Sequence, residues 1–190
     1  MNDLGPWYLS NTSVFCLVDE IPTPSNPGGH SISCNIRLAL DRMGYLGHKK
    51  IWAFTPKKQS SAAADPEILH ISDSEDCRVR KMLFHIITFA SSCDVGEQNN
   101  VIVISNKPPE GEFCRVLHTL EIRGFNVLLV QPHDEAQVLR SADLIFQCTT
   151  ALDGSSGPTD FDNIDRVSYP SWEIDPDPAN LDDSSSSLHF

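Results

Sequence analysis

The chain has 190 residues, of which 40% are hydrophobic and 21% are charged, and its formal net charge is −12. A chain of this length can form one domain with a substantial core, since domains commonly have about 100–150 residues. The lack of an overall basic footprint argues against a nucleic-acid-binding protein but does not exclude a nuclease, because metal ions can bring the positive charge that meets phosphate.

The negative charge is concentrated near the C-terminus. Residues 153–190 hold nine acidic residues and one arginine, whereas residues 1–152 hold seventeen acidic residues and thirteen lysines and arginines. Beyond residue 152 the composition is dominated by Gly, Ser, Asp and Pro, which cannot bury enough apolar surface to offset the entropy of ordering. We therefore predict an N-terminal arm at 1–12, a folded domain at 13–152 and a disordered acidic tail at 153–190.

The first residues, MNDLGPWYLSNTS, lack the basic segment and the apolar core of a signal peptide. No apolar run approaches the ~20 residues of a membrane span. The six cysteines include no CxxC pair, so we predict buried, reduced thiols rather than disulfides or zinc ligands. These features predict an intracellular, cytoplasmic protein that is not secreted and does not contact a membrane.

Short apolar runs alternate with segments of helical periodicity along the predicted domain. We predict strands at 13–19, 49–54, 68–71, 101–105, 126–131 and 143–148, and helices from His30 or Ser31 to Gly44 and at 74–91, 112–122 and 135–141. This alternation predicts a single α/β domain, Rossmann-like, with a central parallel sheet covered by helices on both faces.

Helical spacing predicts which side chains are buried. The inner face of the first helix comprises Ile32, Ile36, Leu40 and Met43; that of the second comprises Val79, Met82, Leu83, Ile86, Ile87 and Ala90; that of the third comprises Phe113, Val116, Leu117 and Leu120. The lysine pairs Lys49-Lys50 and Lys57-Lys58 flank the second strand, and we interpret them as a solvated edge, with phosphate contact as the alternative.

Three stretches carry a family resemblance. The first comprises Val14-Phe15, Pro22-x-Pro24, Asn35-Ile36-Arg37-x-Ala39-Leu40 and Met43-Gly44-Tyr45-x-Gly47. The second comprises Leu117-His118-x-Leu120, Arg123 and Asn126-Val127-Leu128-Leu129-Val130-Gln131-Pro132, and the third comprises Thr149-Thr150-Ala151-Leu152 and Gly157-Pro158. In this order and spacing, the region Val14 to Pro158 resembles an NYN domain, the PIN-like RNase fold, of the limkain-type (meiosis regulator and mRNA stability factor) branch that is expanded in plants.

The resemblance implies an endonuclease of single-stranded RNA in which acidic residues hold a divalent metal ion. It also implies a cytoplasmic or peroxisomal location, although the C-terminal residues Ser187-Leu188-His189-Phe190 are not an SKL-type peroxisomal tripeptide. We expect no cofactor unless the protein is an active nuclease, in which case the resemblance implies Mg²⁺ or Mn²⁺.

Several acidic positions of that family are changed in this chain. The family's Asp-x-Glu-Asn falls on Leu17, Val18, Asp19 and Glu20, and its Gly-Asp after the second strand falls on Thr55-Pro56. The Asp that opens the Asp-Lys-Lys-like motif falls near Val79-Arg80-Lys81, and Ser-Gly-Asp-x-Asp-Phe becomes Ser105-Asn106-Lys107, three extra residues, then Glu112-Phe113. Because Mg²⁺ and Mn²⁺ need several converging oxygen ligands, the resemblance predicts a catalytically degenerate site.

Some acidic residues remain as candidates. Asp19, Glu20 and Glu112 are the candidate catalytic residues, and Asp19 and Glu112 are the candidate metal ligands. Together with Glu110 they follow adjacent predicted strands and could rebuild a site. Alternatively, the first two are loop acids and the others favour a helix N-terminus. The candidate RNA contacts are Lys57, Lys58, Arg80, Lys81 and Lys107.

Three functional hypotheses follow. The first is a degenerate NYN-type protein that binds RNA or a protein partner and regulates gene expression. The second is an active, divergent endoribonuclease that uses Asp19, Glu20 and Glu112. The third is an assembly module that recruits a protein partner through the acidic tail. The oligomeric state does not follow from the sequence.

Overall fold

The computed structural model describes residues 7–19, 31–56, 65–94, 96–107, 110–132 and 134–155. The elements in these residues are β1 (Asn11–Leu17), α1 (Ile32–Arg42), β2 (Lys49–Thr55), β3 (Ile68–Ser72), α2 (Glu75–Ser92), β4 (Asn99–Ser105), α3 (Gly111–Ile122), β5 (Asn126–Val130), α4 (Glu135–Val138), α5 (Ala142–Gln147) and β6 (Thr149–Ala151). Among the described helices, none is both long enough and apolar enough to cross a membrane.

The six strands form one sheet in the order β3-β2-β1-β4-β5-β6. The first five strands run parallel, and β6 runs antiparallel to β5. We call the side of the sheet at which the parallel strands end its carboxyl end, and the side at which they begin its amino end. The predicted α/β domain with a central parallel sheet is confirmed, with an antiparallel strand added at one edge.

Each face of the sheet has its own hydrophobic core, because successive residues of a strand point to opposite faces. Val14 and Cys16 of β1 pack with residues of α1, α4 and α5. Phe15 and Leu17 pack on the other face with residues of α2 and α3. Helices therefore cover both faces, and the central strands are buried on both sides, as the apolar run of β1 predicts.

The segment predicted as the sixth strand, 143–148, is instead a helix. α5 begins after Ser141, whose hydroxyl accepts a hydrogen bond from a backbone N–H of the first turn. Arg42 of α1 forms an ion pair with Asp143 and lies over the ring of Phe146. A six-residue segment fits either a short strand or a short helix, so these contacts, rather than periodicity, decide its structure.

Three further expectations are corrected. Lys49 is not part of a solvated edge, because it is only 6% exposed and its ammonium lies 2.7 Å from the Asp41 carboxylate. Ile87 is not on the inner face of α2, because it is 49% exposed. β1 begins at Asn11, so it includes two residues of the predicted arm, and Trp7 packs against the core. The predicted tail lies outside the described residues from Ser156 onward.

Candidate functional site

The strand order places a crevice at the carboxyl end of the sheet. β1 and β4 are neighbours, and their last residues, Leu17 and Ser105, are paired in register. The chain leaves β1 toward α1 on one face, and it leaves β4 toward α3 on the other. Ligands of open α/β sheets bind where the connections diverge in this way. The residues that follow these two strands are therefore the candidate site.

Arg78, in the first turn of α2, projects into this region. Its guanidinium donates a hydrogen bond to the Val18 carbonyl at 3.0 Å and another to the Asp19 carboxylate at 2.7 Å. The arginine side chain is 2% exposed, whereas that of Asp19 is 67% exposed. The positive charge is thus buried beneath the carboxylate that the sequence offers as a metal ligand.

The position of Arg78 follows from the spacing of α2. Arg78, Met82 and Ile86 recur every four residues, so they share the face of the helix that packs on the sheet. All three are buried. An arginine at the end of such a stripe can bury its stem and extend its guanidinium to backbone and carboxylate oxygens at the strand ends.

A partly buried carboxylate lies at the N-terminus of α1. The Asp65 carboxylate accepts a hydrogen bond from the Ser33 backbone N–H at 2.9 Å, and Ser31 caps the helix by accepting from the Cys34 N–H at 3.2 Å. Burial raises the pKa of Asp65, but the hydrogen bonds that it accepts from Ser33 and its neighbours outweigh this and hold the pKa below its usual value. A helix N-terminus favours an anion, and here the chain provides its own.

The predicted acidic residues do not gather at one point in the described structure. Asp19 pairs with Arg78, whereas Glu112 is 68% exposed and pairs with Arg115 at 2.7 Å. Glu110 is an exposed residue at the N-cap of α3. Among the described residues, no group of three or more His, Cys, Asp and Glu side chains is arranged to hold a metal ion. Glu20 lies outside the described residues.

The candidate RNA contacts fall into three groups. Arg80 and Lys107 are exposed, and Lys107 follows β4 directly, with its backbone N–H donating to the Ser105 hydroxyl at 3.0 Å. Lys81 lies 3.1 Å from the Asp73 carboxylate. Lys57 and Lys58 lie outside the described residues. Two solvated cations therefore stand at or near the carboxyl end of the sheet, beside the buried charge of Arg78.

Arg78 and Asp65 are not among the candidate residues predicted from the sequence. The four-residue spacing of Arg78 to Met82 and Ile86 is the signal in the sequence that could have placed it on the inner face of α2. No spacing rule connects Asp65 to Ser33, because they come from different connections of the sheet. Their contact follows only from the fold.

Neither a scan against models of protein families nor a search of curated proteins finds a match for this chain. The NYN resemblance therefore stays a prediction that rests on the residues quoted above.

Proposed function

We propose that this chain is an NYN-type domain that binds single-stranded RNA at the carboxyl end of its sheet without cleaving it, and that it regulates gene expression in this way. The observation that carries the proposal is the buried guanidinium of Arg78 against the Asp19 carboxylate. The α/β architecture and its crevice between β1 and β4 are compatible with a PIN-like domain.

The Arg78 charge opposes a metal ion at this position. Two like unit charges about 4 Å apart repel by on the order of 4 kcal/mol at the effective dielectric of a protein surface, and a divalent ion doubles that value. An ion bound to Asp19 would face this repulsion, because the guanidinium already lies 2.7 Å from the carboxylate. It would also need further oxygen ligands, whereas Glu112 is paired with Arg115.

The same arrangement favours an anion. Arg78 neutralises the Asp19 carboxylate, and the exposed side chains of Arg80 and Lys107 can reach phosphate from solvent. Affinity for single strands comes largely from such phosphate contacts. Because these contacts are electrostatic, we expect the affinity to fall as the salt concentration rises. The acidic remainder of the chain limits non-specific binding.

A cleavage assay tests the catalytic half of the proposal. The purified protein is incubated with labelled single-stranded RNA in Mn²⁺ and, separately, in EDTA. We expect no metal-dependent product. Mn²⁺-dependent cleavage that is lost in Glu112→Ala and in Asp19→Asn would replace the proposal with the divergent-nuclease alternative. Loss in neither variant would indicate a contaminating nuclease, which a repeat purification removes.

A binding titration tests the other half. The fluorescence anisotropy of labelled RNA is measured at several salt concentrations for the wild type, for Arg80→Ala and Lys107→Ala, and for Arg123→Ala as a matched exposed cation at the amino end. Each lost phosphate contact should reduce the slope of log K against log salt by about 0.7 for single strands. Arg123→Ala should bind as the wild type does. RNA binding that is absent, or equally weakened by all three changes, would refute the proposal.

A further inference from the structure

A groove opens at the amino end of the sheet, on the opposite side from the candidate site. It has a volume of about 530 Å³ and lies between the starts of β1 and β2 and the second half of α2. Its lining includes His48, Lys50, Trp52, His85, Thr88 and Phe89. The RNA proposal uses none of these residues.

The floor of the groove is aromatic. Trp52 stacks on Phe15 with ring centroids 4.8 Å apart and an interplanar angle of 2°, and Phe89 meets both rings at a tilt. Next to Trp52 in register, Leu69 of β3 is 46% exposed, and Phe84 of α2 is 66% exposed. A partner of this surface should therefore carry apolar or aromatic side chains.

The charge of the groove is positive. The Lys50 ammonium lies 4.8 Å from the Trp52 ring centroid and provides this charge, whereas burial lowers the pKa of His85 and so favours its neutral form. None of the described residues that line it is acidic. In a chain with a net charge of −12, this is a local reversal of sign, so an acidic partner is favoured.

The direction of β6 brings the chain to the same end of the sheet as the groove. Because β6 runs antiparallel to β5, it ends beside the beginning of β5, where Ala151 is paired with Leu128. The next residue, Leu152, packs against the same core cluster as Trp52 and Phe89. Residues 153–155 therefore leave the body at the amino end, next to the face on which the groove opens.

The chain beyond residue 155 has the length and chemistry to fill the groove. Three strand spacings separate β5 from β2, so the distance between these strands across the sheet is about 15 Å. Trp172 is 17 residues beyond Ser155 in the chain, and a segment of this length can span about 55 Å when extended. Residues 156–190 hold eight acidic residues and one arginine, and Trp172 is followed directly by Glu173, Ile174 and Asp175.

We propose that the amino-end groove is a docking site for the chain's own acidic segment around Trp172. The indole packs beside Phe89 and Trp52, and the carboxylates of Glu173 and Asp175 meet Lys50. Joining the two partners in one chain raises their effective concentration to the millimolar range, so that a weak contact suffices. The acidic segment then covers the partly buried ring of Phe89 and the 9% of Trp52 that is exposed.

The first test uses the full chain and the single tryptic site of the segment, Arg166. Cleavage tracks the undocked population, so a docked fraction of about nine-tenths slows it about tenfold. We expect cleavage after Arg166 to accelerate by about this factor in Trp172→Ala and in Lys50→Glu, and to stay unchanged in Leu181→Ala. Equal cleavage rates in all four proteins would overturn the proposal.

A second test identifies the contact itself. Amide and indole NMR signals of Trp52, Thr88 and Phe89 in the full chain should shift in Trp172→Ala and in Lys50→Glu, and the double variant Lys50→Glu with Glu173→Lys should restore them. Lys50 is exposed in the structure, and an unchanged thermal midpoint of each variant checks the fold. Shifts that vary with protein concentration would assign the occupant to a second copy of the chain, and unshifted groove signals would refute docking.

Discussion

The guanidinium of Arg78 lies 2.7 Å from a carboxylate oxygen of Asp19, and it also donates to the Val18 carbonyl at 3.0 Å. One buried cation in the first turn of α2 thus holds the two residues that follow β1. Because β1 is a central strand of the sheet, this contact joins the helix layer to the crevice between β1 and β4. The same side chain therefore contributes to the fold and determines the charge of the candidate site.

Replacing Arg78 with methionine should destabilise the protein. Methionine keeps much of the apolar stem but leaves the buried Val18 carbonyl without the donor that Arg78 provides, which costs about 1–3 kcal/mol. The free energy of unfolding in urea measures the loss. Arg80→Met, an exposed position of the same helix, is the matched control and should change stability by less than about 0.5 kcal/mol. Equal effects of the two changes would contradict the structural role of Arg78.

Removing the Asp65 carboxylate should weaken the start of α1. Asp65→Ala deletes the acceptor of the Ser33 N–H and the favourable charge at the helix N-terminus, so we expect a loss of about 1 kcal/mol at neutral pH. Glu67→Ala, an exposed neighbour that pairs with Arg37, is the control and should cost less than about 0.5 kcal/mol.

The pH dependence of this effect has a definite sign. The pKa of Asp65 is lower in the folded protein than its usual value, so its contribution to stability is complete above that usual value and is lost as the pH falls through the folded pKa. The stability difference between the wild type and Asp65→Ala should therefore shrink below about pH 4. A difference that is constant down to pH 2 would show that the carboxylate charge plays no part.

Asn100 should be among the most sensitive polar residues of the domain. It is fully buried, it donates to the Trp7 carbonyl at 3.2 Å and to the Thr12 hydroxyl at 3.1 Å, and it accepts from the Asn126 amide at 2.9 Å. Asn100→Ala removes one buried and two partly buried hydrogen bonds, so we expect a loss of about 2 kcal/mol in urea unfolding. Gln98→Ala, exposed two residues earlier, should have little effect; a loss similar to that of Asn100→Ala would contradict the network.

Gly47 should tolerate no side chain. A Cβ atom at this position would lie 2.1 Å from the Ser10 carbonyl oxygen, so the backbone of residues 9–10 or of Gly47 would have to move. Overpacking of this kind costs about 1–3 kcal/mol. Because residues 7–10 also receive the Asn100 hydrogen bond, Gly47→Ala and Asn100→Ala should couple in a double-mutant cycle. Additive losses would show that the two contacts are independent.

The fold was largely accessible from the sequence because its strongest patterns are local. The apolar run of β1 and the four-residue spacing of Ile32, Ile36 and Leu40 in α1 predict elements that the structure contains. The strand predicted at Asp143 to Cys148 is wrong for a physical reason. That run is too short for its period to distinguish a strand from a helix, and the contacts of Arg42 that stabilise α5 come from 101 residues earlier in the chain.

The candidate site was less accessible, because its decisive contacts join distant connections. The sequence placed Asp19, Glu110 and Glu112 after adjacent strands, and the register of β1 with β4 agrees. It did not place Arg78 beneath Asp19, since 59 residues separate the two. Helical spacing could have placed Arg78 on the inner face of α2, but arginine is almost never fully buried unless it is paired, and its partner Asp19 is not predictable from the local sequence.

The antiparallel course of β6 also offers a way to measure distance. A donor dye attached at Ser155 stands at the amino end of the sheet, whereas Lys107 stands at the carboxyl end, about one strand length or ~20 Å away. A parallel last strand would have brought the two points together. Energy transfer from that dye to an acceptor on bound RNA would therefore depend on the end of the domain at which the acceptor lies. Acceptors at different positions along the RNA would show which end of the domain the RNA occupies.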